Sequence, residues 1–364
     1  MPEPVIATIM FADLMNSTEL AKNLTLLEYG DMLVDFQNTM FEVVSHHLPS
    51  FGYQDSGVDS EWSISGDELR VFLYSGKVRF DTRNALLIAA KIKLAWLASE
   101  FNQKVLREGR LVARIGIGMN CGKVIKDVRK WRVQMGQAEP NIEGYAINLT
   151  KRIESTSREG TAYQIMVGAN LYKRCQQNNT INVSFGTPRS LTFKGVGQKL
   201  PVYEVTSFVN FEVLDSMPET LKNGLMEKLE ESVTDAAPEP WIYVALLRAY
   251  ISKISRDEGE DLEIKAVELA RQALEVLEHK ATIYNMMGWL YIYGKSVRNL
   301  KMAYNCFERS LQLEPKNEGA LLNRARILDK MGLVDRARQS YEEILFQNRQ
   351  HPEALRKVAQ YAST

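Results

Sequence analysis

The chain has 364 residues, and its 45 lysines and arginines balance its 45 aspartates and glutamates. That length exceeds one ordinary core and predicts two or three domains, while the charge balance excludes a whole-chain polycation for nucleic acid and leaves any anion binding to local clusters. Cys121, Cys175 and Cys306 are few, odd in number and not at metal-ligand spacing, which excludes a disulfide scaffold and fits a reducing compartment. No apolar run approaches a membrane span and the N-terminus lacks the basic-then-apolar order of a signal peptide, so the reading is a cytoplasmic chain with no membrane or nucleic-acid partner.

Up to about residue 206 strand-like and helix-like segments alternate, the pattern of an α+β layer. Residues 6–11 form a strand that stops at Asp13 and turns through Asn16, Ser17 and Thr18 into a helix over residues 18–47, with Leu20, Leu24, Leu33, Phe36 and Met40 as its apolar positions. EWSISGDELRVFLY, residues 61–74, reads as two strands interrupted at Gly66, Asp67 and Glu68. Ser-Gly-Asp is ordinary turn chemistry, so a plain hairpin explains the interruption without any function. A second helix covers residues 83–106, with Ile88, Ile92, Ala95 and Trp96 on one face. Then come a strand, LVARIGIGMN, a charged segment at 127–141, a third helix from Ala146, and strands near residues 164–167 and 202–205.

Beyond residue 206 the pattern is helical only. Residues 207–240 read as a linker with one short helix, and residues 241–364 as an all-α domain. Ala303, Phe307 and Leu311 recur 34 residues later as Ala337, Tyr341 and Leu345, and Pro315 stands where a tetratricopeptide motif has its proline. Ala266, Ala270 and Leu274 fit an earlier repeat if the turn in YGKSVRNLKMAY carries about three extra residues. The alternative is a generic helical bundle. No ligand of the repeats can be read, and His46, His47, His279 and His351 form no ligand pattern.

Two features carry chemistry. A carboxylate at the tip of a stiff hairpin can hold a hard divalent cation if a second carboxylate is near, and pairing the first strand with the hairpin brings Asp13 to Asp67. In NIEGYAINLTKRIESTSREG, Asn148 and Arg152 lie four apart on a helix, so an amide and a guanidinium point the same way, as donors to a phosphoryl transition state would.

Read together, FADL, SGD, ARIGIG, EGYAINLTKR and FKGVGQKLPVYEV resemble, in order and spacing, the motifs of class III nucleotidyl cyclases over residues 1–206. The resemblance implies a ferredoxin-like, palm-like domain with its sheet covered by helices. It also implies a head-to-tail homodimer, a nucleoside triphosphate substrate and two divalent cations per site, manganese or magnesium. Asp13 and Asp67 match the metal-binding aspartates, and Leu14 the position whose carbonyl also touches metal. Arg114 and Lys194 match triphosphate-binding residues, with Lys194 supplied by the partner. Asn148 and Arg152 match the transition-state residues, also from the partner. Backbone amides from Met15 to Thr18 would cradle the leaving phosphates, although Asn16 and Ser17 replace the usual glycine and aromatic.

Ser63, four residues before Asp67, and Asn141, seven before Asn148, stand at the base-reading positions and match neither the adenine code, lysine and aspartate, nor the guanine code, glutamate and cysteine. This departure, with EGYAINLTKRIE and SGDELRVF, resembles the pyrimidine cyclases of bacterial antiphage systems, which make cyclic UMP or cyclic CMP. Asn141 can pair with either pyrimidine edge. UTP is the first expectation, CTP the second. An adenylate cyclase and a non-catalytic cyclase-like scaffold are the alternatives.

Overall fold

The computed structural model describes residues 3–53, 59–126, 142–176, 183–193, 199–208, 219–234, 240–256, 261–277, 280–315, 317–347, 349 and 351–362. The first part runs β1 (Glu3–Leu14), α1 (Ser17–Asn23), α2 (Leu26–Ser50), β2 (Ser60–Ser65), β3 (Glu68–Leu73), α3 (Val78–Leu97), α4 (Glu100–Arg107), β4 (Ile115–Lys126), β5 (Ile142–Glu143) and α5 (Tyr145–Ser155). A single 3-10 turn, Thr156–Glu159, leads into β6 (Ile165–Gly168), α6 (Ala169–Gln176), β7 (Val183–Phe185), β8 (Arg189–Thr192) and β9 (Lys199–Phe208). Among the described residues these strands form one sheet in the order β2-β3-β1-β4-β6-β9-β7, with β5 on β4 and β8 on β9. All neighbours are antiparallel except β4 and β6.

β1 sits in the middle and is buried on both faces, which is why it reads as a nearly continuous apolar run. Met10, Ala12 and Leu14 face α2 and α3, packing with Phe36, Met40, Ile88 and Trp96. Ala7, Ile9 and Phe11 face the other way, toward Phe72, Val124 and Ala146 at the start of α5. Alternation along β1 therefore puts Asp13 on the α5 face.

Two helices expected to be continuous are each broken by a cap. The expected helix over residues 18–47 is α1 and α2, separated at Thr25, whose hydroxyl accepts from Glu28 N at 3.2 Å while the Glu28 carboxylate accepts from Thr25 N at 2.9 Å. This reciprocal capping box satisfies amides that a continuous helix would have bonded internally. The expected helix over residues 83–106 is α3 and α4, broken at Ser99, whose hydroxyl accepts from Asn102 N at 3.3 Å.

The α5 face of β4 is lined by glycine because the helix lies directly on the strand. A Cβ at Gly118 would stand 2.2 Å from Glu154 N, and one at Gly122 would stand 2.6 Å from Ala146 Cβ. Gly118→Ala must therefore lift α5, and overpacking of this kind costs about 1–3 kcal/mol. Urea unfolding of that variant checks it, and a loss below about 0.5 kcal/mol, the scale of an ordinary surface change, contradicts the close packing.

The second part is helical: α7 (Glu219–Ser232), α8 (Pro240–Ser255), α9 (Leu262–Val276), α10 (Ala281–Tyr293), α11 (Leu300–Leu313), α12 (Glu318–Lys330), α13 (Val334–Gln347) and α14 (Pro352–Ala362). Helices α8 and α9, α10 and α11, and α12 and α13 pack as successive pairs, with α14 against α13. Gly288 allows α10 and α11 to touch, since a Cβ there would meet the Phe307 ring at 2.4 Å. The inserted turn between them is stapled by Glu263, whose carboxylate accepts from Lys295 N at 2.8 Å and Ser296 N at 2.7 Å.

The helical part docks on the sheet part. Leu106 and Val112 share an apolar cluster with Leu225, Leu229, Ile242 and Leu246. Arg248 donates to Thr206 O at 2.6 Å and stacks over Tyr163 at 4.0 Å, and Thr187 N donates to Glu314 Oε1 at 3.3 Å. Among the described residues no helix is long and apolar enough to cross a membrane.

Candidate active site

The site begins at the end of β1. Asp13 pairs in register with Glu68 on β3 and with Gly116 on β4. The β2–β3 hairpin closes through Gly66 and Asp67, with Ser65 opposite Glu68. Gly66 has φ 61°, a left-handed value that a two-residue hairpin of this kind demands at its first central position. Leu14 N donates to the Asp67 carbonyl at 3.2 Å, and Gln37 on α2 donates to the Gly66 carbonyl at 3.0 Å. The hairpin tip is thus tied to β1 and to α2, and its Asp67 lies close enough for its charge to act on the Asp13 carboxyl.

Asp13 is half-buried. Its Oδ2 accepts from Lys151 Nζ at 2.7 Å, whereas its Oδ1 is buried with no hydrogen-bond partner among the described residues. Lys151 comes from α5 and also reaches the Glu68 carboxylate and Glu154 Oε2, the latter at 3.1 Å. Arg70 Nε lies 2.5 Å from Glu68 Oε1 and over the Phe11 ring. Burial raises the Asp13 carboxyl above the usual range, with the negative charges of Asp67 and Glu68 adding to it and Lys151 opposing. Burial likewise pushes Glu154 up to about 7. Burial alone would lower the Lys151 ammonium, but its bonds to Asp13 and Glu68 outweigh that and hold it firmly charged.

An orphaned buried carboxylate oxygen is costly unless something occupies it. A hard divalent cation suits it, since magnesium and manganese take carboxylate, carbonyl and phosphate oxygens. The candidate donors are Asp13 Oδ1 and the carboxylate of Asp67, whose charge acts on Asp13. Among the described residues there is no cluster of three or more histidine, cysteine, aspartate or glutamate side chains arranged to hold a metal.

Other residues singled out in the sequence fall around this centre. Asn148 is exposed and Arg152 half-buried on α5, while Leu149 and Ile153 of the same helix turn to the sheet side. Thr18 is exposed near the start of α1, and Asn16 before it is left-handed at φ 57° and ψ 31°. The expected amide cradle is shorter than residues 15–18, because Met15 N already donates to the Arg114 carbonyl at 2.9 Å. Arg114 is joined to the site by that backbone bond. It also lines a pocket of about 130 Å³ with Lys93, Tyr163 and Arg248 at the junction with the helical part. There burial, with Arg114 adding to it, brings the Lys93 amine down to about 7. Ser63 is half-buried on β2 directly opposite Arg70. Asn141 and Lys194 lie outside the described residues, as do residues 209–218 and 235–239 of the expected linker.

The sequence reading missed Glu68, Arg70, Lys151 and Glu154. The available signal was Lys151 and Glu154, an i,i+3 charged pair on a helix whose neighbours Ala146, Leu149, Thr150 and Ile153 are buried.

The tetratricopeptide repeat family matches residues 298–361. No curated protein matches the chain. Among solved structures, the adenylyl cyclase CyaB from P. aeruginosa is 18% identical with TM-score 0.45, covering 57% of this chain and 96% of that one. The guanylyl cyclase Cya2 is 23% identical with TM-score 0.44, covering 57% of this chain and 94% of that one. On the helical side, a thermophilic TPR protein from Thermus thermophilus is 22% identical with TM-score 0.32, covering 40% of this chain and 73% of that one.

Proposed function

We propose that this chain is a nucleotidyl cyclase converting a nucleoside triphosphate, first UTP and second CTP, to its 3′,5′-cyclic nucleotide and pyrophosphate, residues 1–206 being the catalytic unit. The observation that carries the reading is the meeting of Asp13 and Asp67 where β1 ends, with Asp13 Oδ1 buried and open. A divalent cation bound there would lower the pKa of the ribose 3′-hydroxyl and neutralise charge on the phosphates.

The chain's own groups would do the rest. Asp13 and Asp67 fix where the 3′-oxygen meets the α-phosphorus. Asn148 and Arg152 would donate hydrogen bonds to the oxygens on which charge builds as pyrophosphate leaves. Because α5 turns Lys151 inward to Asp13 and carries Asn148 exposed, these donors would serve the carboxylates of a second copy. That supports a head-to-tail homodimer with composite sites. Arg114, Thr18 and Lys194 would hold the triphosphate.

Ser63 supports a pyrimidine over a purine, as it stands where an adenine-reading lysine would be, beside Arg70. The product would act as a signal, in antiphage defence on the strength of the sequence resemblance. A cyclase specific for ATP is the second reading, and the test separates the two. Equal concentrations of ATP, GTP, CTP and UTP are incubated with the protein and manganese, and cyclic products are identified by mass spectrometry. Cyclic UMP, with less cyclic CMP, is expected. Dominant cyclic AMP overturns the pyrimidine assignment, and no cyclic product of any base overturns the reaction.

A further inference from the structure

Lys151 stands inside the carboxylate cluster, and its geometry bears on how many metal ions the site takes. An ammonium has three hydrogens to donate and no more. Lys151 Nζ has three carboxylate partners: Asp13 Oδ2 at 2.7 Å, Glu154 Oε2 at 3.1 Å, and Glu68 Oε2. Its donor capacity is matched, and its root is held because α5 rests on Gly118 and Gly122 with no room to shift inward.

A carboxylate that bridges two cations through both of its oxygens offers one to each. On Asp13 one oxygen is taken by Lys151 and the other is open. Glu68 cannot replace it, since its two oxygens are engaged by Arg70 and Lys151. Resting on the metal assignment above, we infer that Lys151 is a built-in cation standing in for one of two metal ions, so that the site binds a single divalent cation between Asp13 Oδ1 and Asp67. The fixed ammonium contributes one positive charge at the position where a second divalent ion would contribute two.

Manganese reports this directly, because two manganese ions sharing a carboxylate give an exchange-coupled electron paramagnetic resonance spectrum and a single ion does not. The full chain is loaded with manganese and an α,β-methylene nucleoside triphosphate, which cannot be cyclised. Wild type is expected to give the isolated-ion spectrum and one manganese per protomer. Lys151→Ala, and Lys151→Met, which retains the apolar stem and so protects the fold, are expected to give the coupled pair and two. A coupled pair in wild type overturns the inference, as does an isolated ion in whichever lysine variants fold. Wild type that binds no manganese overturns it together with the metal assignment. Wild type that binds one manganese and yields no cyclic product in the assay above leaves the count standing and overturns only the reaction.

Discussion

Asp67→Ala is expected to reduce cyclic nucleotide formation to about one per cent of wild type or less, with Asp13→Ala doing the same. Loss of one preorganised stabilising group already costs about 10² to 10³ in turnover, and a metal ligand positions the nucleophile as well. Both proteins should remain folded. Asp67 is half-exposed in a two-residue turn whose backbone geometry is set by Gly66. In Asp13→Ala the Lys151 ammonium keeps Glu68 and Glu154. The paired measurement is turnover at saturating manganese and thermal unfolding. Near-normal turnover in either variant removes the metal assignment.

Arg152→Ala is expected to lower kcat by about 10² to 10³ with a much smaller change in KM, the pattern of an interaction made chiefly in the transition state. Its place on α5, one residue beyond the inward Lys151, allows the guanidinium to leave the sheet surface while the helix stays anchored through Leu149 and Ile153. Steady-state kinetics on the preferred triphosphate separate the two parameters. A rise in KM with kcat unchanged would make Arg152 a binding residue instead.

Much of this architecture was legible because its signals are local. The run before Asp13 is apolar on both alternating faces, and Gly66 marks the hairpin, so the meeting of Asp13 and Asp67 followed from pairing two strands. The repeats were legible through Ala303, Phe307 and Leu311 recurring as Ala337, Tyr341 and Leu345, all of which lie on α11 and α13. The breaks at Thr25 and Ser99 were missed although both carry caps, because apolar residues continue on either side and no Gly or Pro stands at either break to mark a stop. Lys151 was missed for a different reason. Its direction depends on how α5 lies on β4, which is set by Gly118 and Gly122 some 30 residues earlier in the chain. Docking of Leu106 and Val112 against α7 and α8 was invisible for the same reason, as contacts between distant segments leave no period.

Composite sites can be tested by mixing two proteins that are each inactive for a different reason. Asp67→Ala lacks a metal ligand, and Arg152→Ala lacks a transition-state donor. In a head-to-tail heterodimer of the two, one site loses both groups and the other has both intact. Equal mixing with free exchange makes half the dimers hetero, so about a quarter of wild-type activity is predicted to return. Activity no higher than the sum of the separate variants, in a mixture shown to have exchanged subunits, would contradict a site shared between two copies.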